Sequence, residues 1–197
     1  MAAALDPALP PELDRLAQAV LRRACDRRLK LVTAESCTGG MLASLLTDVP
    51  GMSHAFERGF VTYTHEAKHQ MLGVPMEVLE ARGAVSRACA KAMAEGALAH
   101  SSGDLAVSIT GFTEGGPDRP AGLVHLACAA RDKPTTHRVI RLGDVGRAKV
   151  RLGALEAALG LMMDQMLNGA ARPGEGRDPS GLAADNKGAG AAPTPLP

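Results

Sequence analysis

Strand-like apolar runs along this chain alternate with stretches of helical spacing, and that alternation leaves few architectures open. Residues 29–34 (LKLVTA) read as a short buried strand, after which Gly39 and Gly40 open a helical stretch to Thr47. Residues 56–64 are rich in β-branched and aromatic side chains and read as a second strand. Thr64 then reads as the N-cap of a helix through Leu72, ended by Gly73 and Pro75, and Ser86 as the cap of an Ala-rich helix ending near His100. Leu105, Val107 and Ile109 alternate with Ala106, Ser108 and Thr110, a strand pattern that stops at Gly111. Residues 123–130 and 135–142 follow as a strand pair. Pro11 suits the first turn of an opening helix with Leu13, Leu16, Val20 and Ala24 on one face. Leu152, Leu155, Leu159, Met162 and Met166 give a closing helix the same kind of stripe. Such a pattern predicts a layered α/β fold on a central sheet. A single domain over residues 11–169 is expected, with a flexible N-terminus over 1–10. Residues 170–197, mostly Gly, Ala, Pro and polar groups without periodicity, are expected to be a disordered tail.

Composition narrows the partners. The net charge is +1 and Lys and Arg are interleaved with Asp and Glu, so neither nucleic acid nor any strongly electrostatic partner is expected. Arg22, Arg23, Arg27, Arg28 and Lys30 form the one local excess and read as a solvated helix end. No stretch approaches the ~18 apolar residues of a membrane span, and the N-terminus carries no signal-peptide pattern. Cys25, Cys37, Cys89 and Cys128 lie far apart without CxxC spacing, which points to free thiols in a reducing cytoplasm.

Three segments hold groups that can do chemistry. In residues 34–40 (AESCTGG), at a strand-to-helix junction, Ser36 reads either as a nucleophile beside free helix amides or as a simple N-cap. In residues 59–68 (GFVTYTHEAK), Tyr63 or Lys68 can serve a nearby serine as base if burial lowers the lysine pKa. The same stretch contains a literal H-E-x-x-H, His65 to His69, the pattern of a zinc hydrolase. A third protein ligand at a telling spacing is missing, so no metal is expected. The third segment, residues 110–122 (TGFTEGGPDRPAG), is a Gly-rich loop after a strand that can bring amides to a phosphate. It has neither the P-loop nor the dinucleotide spacing.

In this order the segments resemble the CinA C-terminal family, the nicotinamide-nucleotide amidohydrolases. AESCTGG (34–40), LTDVPG (46–51), EAKHQMLGVP (66–75), GAVS (83–86), DLAVSITG (104–111) and RPAGLV (119–124) carry the likeness, which runs from about Leu13 to Met166. The resemblance implies a three-layer α/β/α sandwich on a mixed sheet. It also implies conversion of nicotinamide mononucleotide and water to nicotinic acid mononucleotide and ammonia, with no cofactor. Ser36 would be the nucleophile, with Tyr63 and Lys68 sharing acid–base work. Glu35, Thr38, Gly39, Gly40, Thr110, Gly111 and Arg147 would bind substrate. The loop at 111–116 is shorter than the family's GIAGPGGG and carries Glu114, so a nucleotide-binding regulatory member without turnover is the alternative. A zinc hydrolase using the HEAKH segment is the third reading. The partner expected is a small-molecule nucleotide, and homo-oligomer formation is left open.

Overall fold

In the computed structural model, which describes residues 9–167, the apolar runs lie side by side in one sheet. Its strands are β1 (Leu31–Glu35), β2 (Phe56–Val61), β3 (Leu105–Gly111), β4 (Leu123–Ala130) and β5 (Lys133–Arg141). Their spatial order is β2-β1-β3-β4-β5. The first three run parallel, β4 is antiparallel to β3 and β5 antiparallel to β4, so the sheet is mixed. The helices are α1 (Pro11–Asp26), α2 (Met41–Thr47), α3 (His65–Leu72), α4 (Met76–Arg82), α5 (Arg87–Ala99) and α6 (Arg147–Leu167).

Strand alternation sorts the side chains into two cores. Leu105, Val107 and Ile109 of β3, with Val124 and Leu126 of β4, pack under α1, α2 and α6. Ala106, Ala127 and Ala129 face the other way, under α3, α4 and α5. The result is an α/β/α sandwich in three layers. With aromatics at only 2% of the chain, the second layer closes by drawing backbones together. Ser108 Oγ donates to the Ala90 carbonyl at 2.6 Å, tying β3 to α5. A Cβ at Gly96 of α5 would sit 1.9 Å from the Leu72 carbonyl oxygen of α3.

The expected caps are in place: Thr64 accepts from the Ala67 amide, Ser86 from the Cys89 amide, and Gly73 ends α3 at φ +65°. Boundaries differ where tertiary pairing decides them. β1 runs on to Glu35, which pairs with both Val61 and Ile109. β2 stops at Val61 because β1 ends there, and Thr62 and Tyr63 leave the sheet. β5 starts at Lys133 and accommodates Pro134 because it is an edge strand. α6 begins at Arg147, which lines the cleft, and already buries Val150 in the core before the expected stripe starts at Leu152. The segments expected to be loose lie mostly outside the described residues (1–8 and 168–197). Among the described residues, no helix is long and apolar enough to cross a membrane.

The close approach of α3 and α5 is open to test. Gly96→Ala is expected to lower stability by about 1–3 kcal/mol, the usual range for overpacking. Denaturant unfolding measures it, and unchanged stability would show that the two helices part freely.

Candidate active site

The parallel strands end together, and three loops leave the sheet at that edge. Residues 36–40 follow β1, Thr62 and Tyr63 follow β2, and residues 112–122 follow β3. The chain after β1 leaves through α2 on one face, and the chain after β2 through α3 on the other, which opens a crevice between them. The cleft there has two lobes. The inner one, about 190 Å³, has Ser36, Lys68 and Thr110 in its walls. The outer one, about 480 Å³, is formed by the 111–117 loop. Tyr63, Gly111, Phe112, Thr113, Arg119 and Arg147 are common to both.

At the inner end, Lys68 Nζ lies 3.0 Å from Ser36 Oγ. Lys68 is fully buried and Ser36 nearly so, at 0% and 8% exposed. The placement follows from local sequence: the Thr64 cap starts α3 at His65, and one turn later Lys68 faces inward beneath the end of β1. Its Nζ also donates to the carbonyls of Thr62 at 2.8 Å and Tyr63 at 3.4 Å. Burial pushes the Lys68 pKa below the ordinary lysine value of 10.5, with the weak pull of Cys89 and Cys37 opposing. The neighbouring thiol is no rival nucleophile, because burial raises Cys37 to about 11.

Tyr63 stands apart from this pair. It is 72% exposed at the mouth of the cleft, where it shares the walls with Arg147. Of the two groups expected to share acid–base work, Lys68 alone is in contact with Ser36. Thr110 lines the inner lobe and donates from Oγ1 to the Ala84 carbonyl at 2.7 Å. Gly111 and Arg147 line the cleft.

The rest of the AESCTGG turn is built differently from the expectation. Glu35 is fully buried and accepts from the amides of Gly40 (3.1 Å), Leu42 (3.1 Å) and Ala43 (2.8 Å). Those are the helix amides expected to be free beside the nucleophile, and a carboxylate of the chain itself takes them. Thr38 is buried too, and its carbonyl accepts from Arg151 Nη2 at 2.6 Å. Gly39 has φ +63°, and a Cβ there would come within 2.8 Å of the same Arg151 nitrogen. Gly40 is the N-cap of α2 at φ +92°. Glu35, Thr38, Gly39 and Gly40 therefore shape the turn and dock it on α6, and none of the four lines either lobe.

Two arginines escaped the sequence reading. Arg119 enters both lobes, and its signal lay in the RPAGLV string. Arg151 sits one helical turn beyond Arg147 on α6, a spacing that marks a shared face. Arg147 Nε donates to Glu114 Oε1 at 3.0 Å, and Glu114 first, then Tyr63, raises the Arg147 pKa. As for the H-E-x-x-H string, His65 and His69 are exposed while Lys68 between them turns inward. His69 Nδ1 donates to the Val74 carbonyl at 3.0 Å. Among the described residues, no three His, Cys, Asp or Glu side chains cluster as a metal site would require.

The family model for the CinA C-terminal domain matches residues 13–166. This chain belongs to the CinA C-terminal domain family. Solved CinA relatives share the fold. The competence/damage inducible protein CihA of Agrobacterium tumefaciens superposes with a TM-score of 0.79 at 42% identity, covering 83% of this chain and 100% of that one. The competence damage-inducible protein A (ComA) of Klebsiella pneumoniae gives a TM-score of 0.75 at 33% identity, covering 79% and 98%. Among curated relatives, a CinA-like protein of Akkermansia muciniphila is 49% identical over 130 residues, 64% of this chain and 31% of that protein. A CinA-like protein of Anaeromyxobacter is 43% identical over 152 residues, 76% and 37%. The chain thus spans about a third of the length of these curated relatives.

The role of Glu35 in this CinA domain separates it from Ser36 in stability. Glu35→Ala leaves three amides at the start of α2 without their acceptor, and a loss of about 2 kcal/mol or more is expected. Ser36→Ala is expected to change stability by less than about 1 kcal/mol. Urea unfolding of the two variants compares them, and parental stability in Glu35→Ala would mean that water replaces the carboxylate.

Proposed function

We propose that this CinA domain is an amidohydrolase that converts nicotinamide mononucleotide and water to nicotinic acid mononucleotide and ammonia. The observation that carries the reading is the 3.0 Å contact between Ser36 Oγ and the buried amine of Lys68. A neutral amine has two N–H groups and one lone pair. The carbonyls of Thr62 and Tyr63 take the two N–H groups, which turns the lone pair toward the Ser36 hydroxyl. Lys68 then removes the hydroxyl proton as Oγ attacks the carboxamide carbon. The resulting ammonium returns that proton to the amide nitrogen, the C–N bond breaks, and ammonia leaves an acyl-serine. Water, deprotonated by the same amine, attacks the acyl carbon, and Ser36 departs with the proton. Arg119 and Arg147 supply positive charge along the cleft for the nucleotide. The choice of a pyridine nucleotide follows the family resemblance, and the free cysteines suit a reducing cytoplasm.

Ammonia release from nicotinamide mononucleotide tests the activity. Ser36→Ala is expected to lower kcat by at least about a thousandfold with the fold intact. Retention of most of the turnover by this variant would remove Ser36 from the mechanism.

Lys68 has a separate test in pH. Because its pKa is depressed, the active neutral form persists below 10.5. Activity should therefore fall as pH drops through a single limb lying below that value, and Lys68→Arg, charged throughout, should be inactive. A profile without such a limb, or parental turnover in Lys68→Arg, would rule out Lys68 as base.

A further inference from the structure

Among the described residues, Glu114 is the one acidic side chain in the walls of the two lobes, where it sits among Arg119 and Arg147. Its ion pair with Arg147 joins the loop after β3 to the first turn of α6. Both partners are largely in water, with side chains 50% (Arg147) and 64% (Glu114) exposed. Burial therefore does not lock the pair, and Arg119 lies in the same lobe as a second cation.

We propose that Glu114 is a built-in competitor for the phosphate of the ligand. In the free protein its carboxylate occupies the face of Arg147 that a phosphate monoester takes when bound. The proposal rests on reading the cleft as a nucleotide site. A carboxylate and a phosphate present similar oxygen pairs to a guanidinium fork, so one excludes the other. The phosphate brings more charge and engages Arg119 as well, so it displaces Glu114. A ligand without phosphate leaves the ion pair closed. Glu114 thereby trades affinity for selection of phosphorylated ligands. An exposed pair is weak and salt-screened, so the effect is few-fold.

Inorganic phosphate is the probe, titrated calorimetrically into the full chain at about 20 mM and about 500 mM sodium chloride. Glu114→Gln is expected to tighten phosphate binding roughly three- to fivefold at low salt, with the gain fading at high salt. In an Arg147→Gln background the same substitution should gain nothing. Unchanged affinity in Glu114→Gln, an equal gain without Arg147, or no phosphate binding by either protein would overturn the proposal. The binding readout needs no turnover. Tighter phosphate binding without ammonia release from nicotinamide mononucleotide defeats the amidohydrolase reading alone. Ammonia release with a phosphate affinity indifferent to Glu114 defeats the competitor alone. With turnover present, Glu114→Gln should lower KM for nicotinamide mononucleotide by the same factor and leave nicotinamide riboside unaffected.

Discussion

Both carboxylate oxygens of Glu35 are taken by backbone amides at the start of α2, and the geometry of the cleft follows from that contact. It closes the turn after β1 as a side-chain cap would, with an acidic group where the helix dipole favours one. With the turn closed, Ser36 is held at the rim of the sheet, its amide bonded to the Ile109 carbonyl at 3.0 Å. The side chain is then left to meet Lys68. Arg151 holds the same turn from the opposite side through the Thr38 carbonyl. The nucleophile candidate thus stands on a short segment fixed at both ends.

The cleft places charge in two different regimes. Lys68 is enclosed, so desolvation disfavours its charged form and prepares it to accept a proton. Arg147 and Glu114 are largely in water, where attraction is modest and exchange of partners is inexpensive. The proposed proton transfer would use the first environment and the proposed ligand exchange the second. The depth of the cleft, from the inner lobe to the outer, supplies both within one continuous space.

The small-residue layer beneath α5 makes this depth possible. Ala106, Ala127 and Ala129 let α5 lie close on the sheet, and α3 reaches α5 through the contact of Leu72 with Gly96. α3 is thereby drawn in far enough for a lysine side chain to pass from the helix to the end of β1. Larger side chains on that face would hold α3 outward and take Lys68 away from Ser36.

Much of this was legible in the order of residues. The alternation of Leu105, Val107 and Ile109 with small neighbours, the caps at Thr64 and Ser86, and the glycine stop at Gly73 act over a few residues, and each appears where expected. The AESCTGG and EAK strings likewise marked the pieces of the site. Tertiary structure decided what those pieces touch. Nothing within a few residues of Glu35 shows that it turns inward to cap α2, and nothing near Tyr63 shows that it faces solvent while Lys68, five residues on, is buried. Arg119 and Arg151 reach the cleft and its supporting turn only because the loop after β3 and the start of α6 converge on one edge of the sheet. Sequence by itself determines backbone preference and the apolar face of each element, since both arise from neighbours along the chain. Burial, charge partners and the direction of a catalytic side chain depend on segments tens of residues away, and packing alone brings those together.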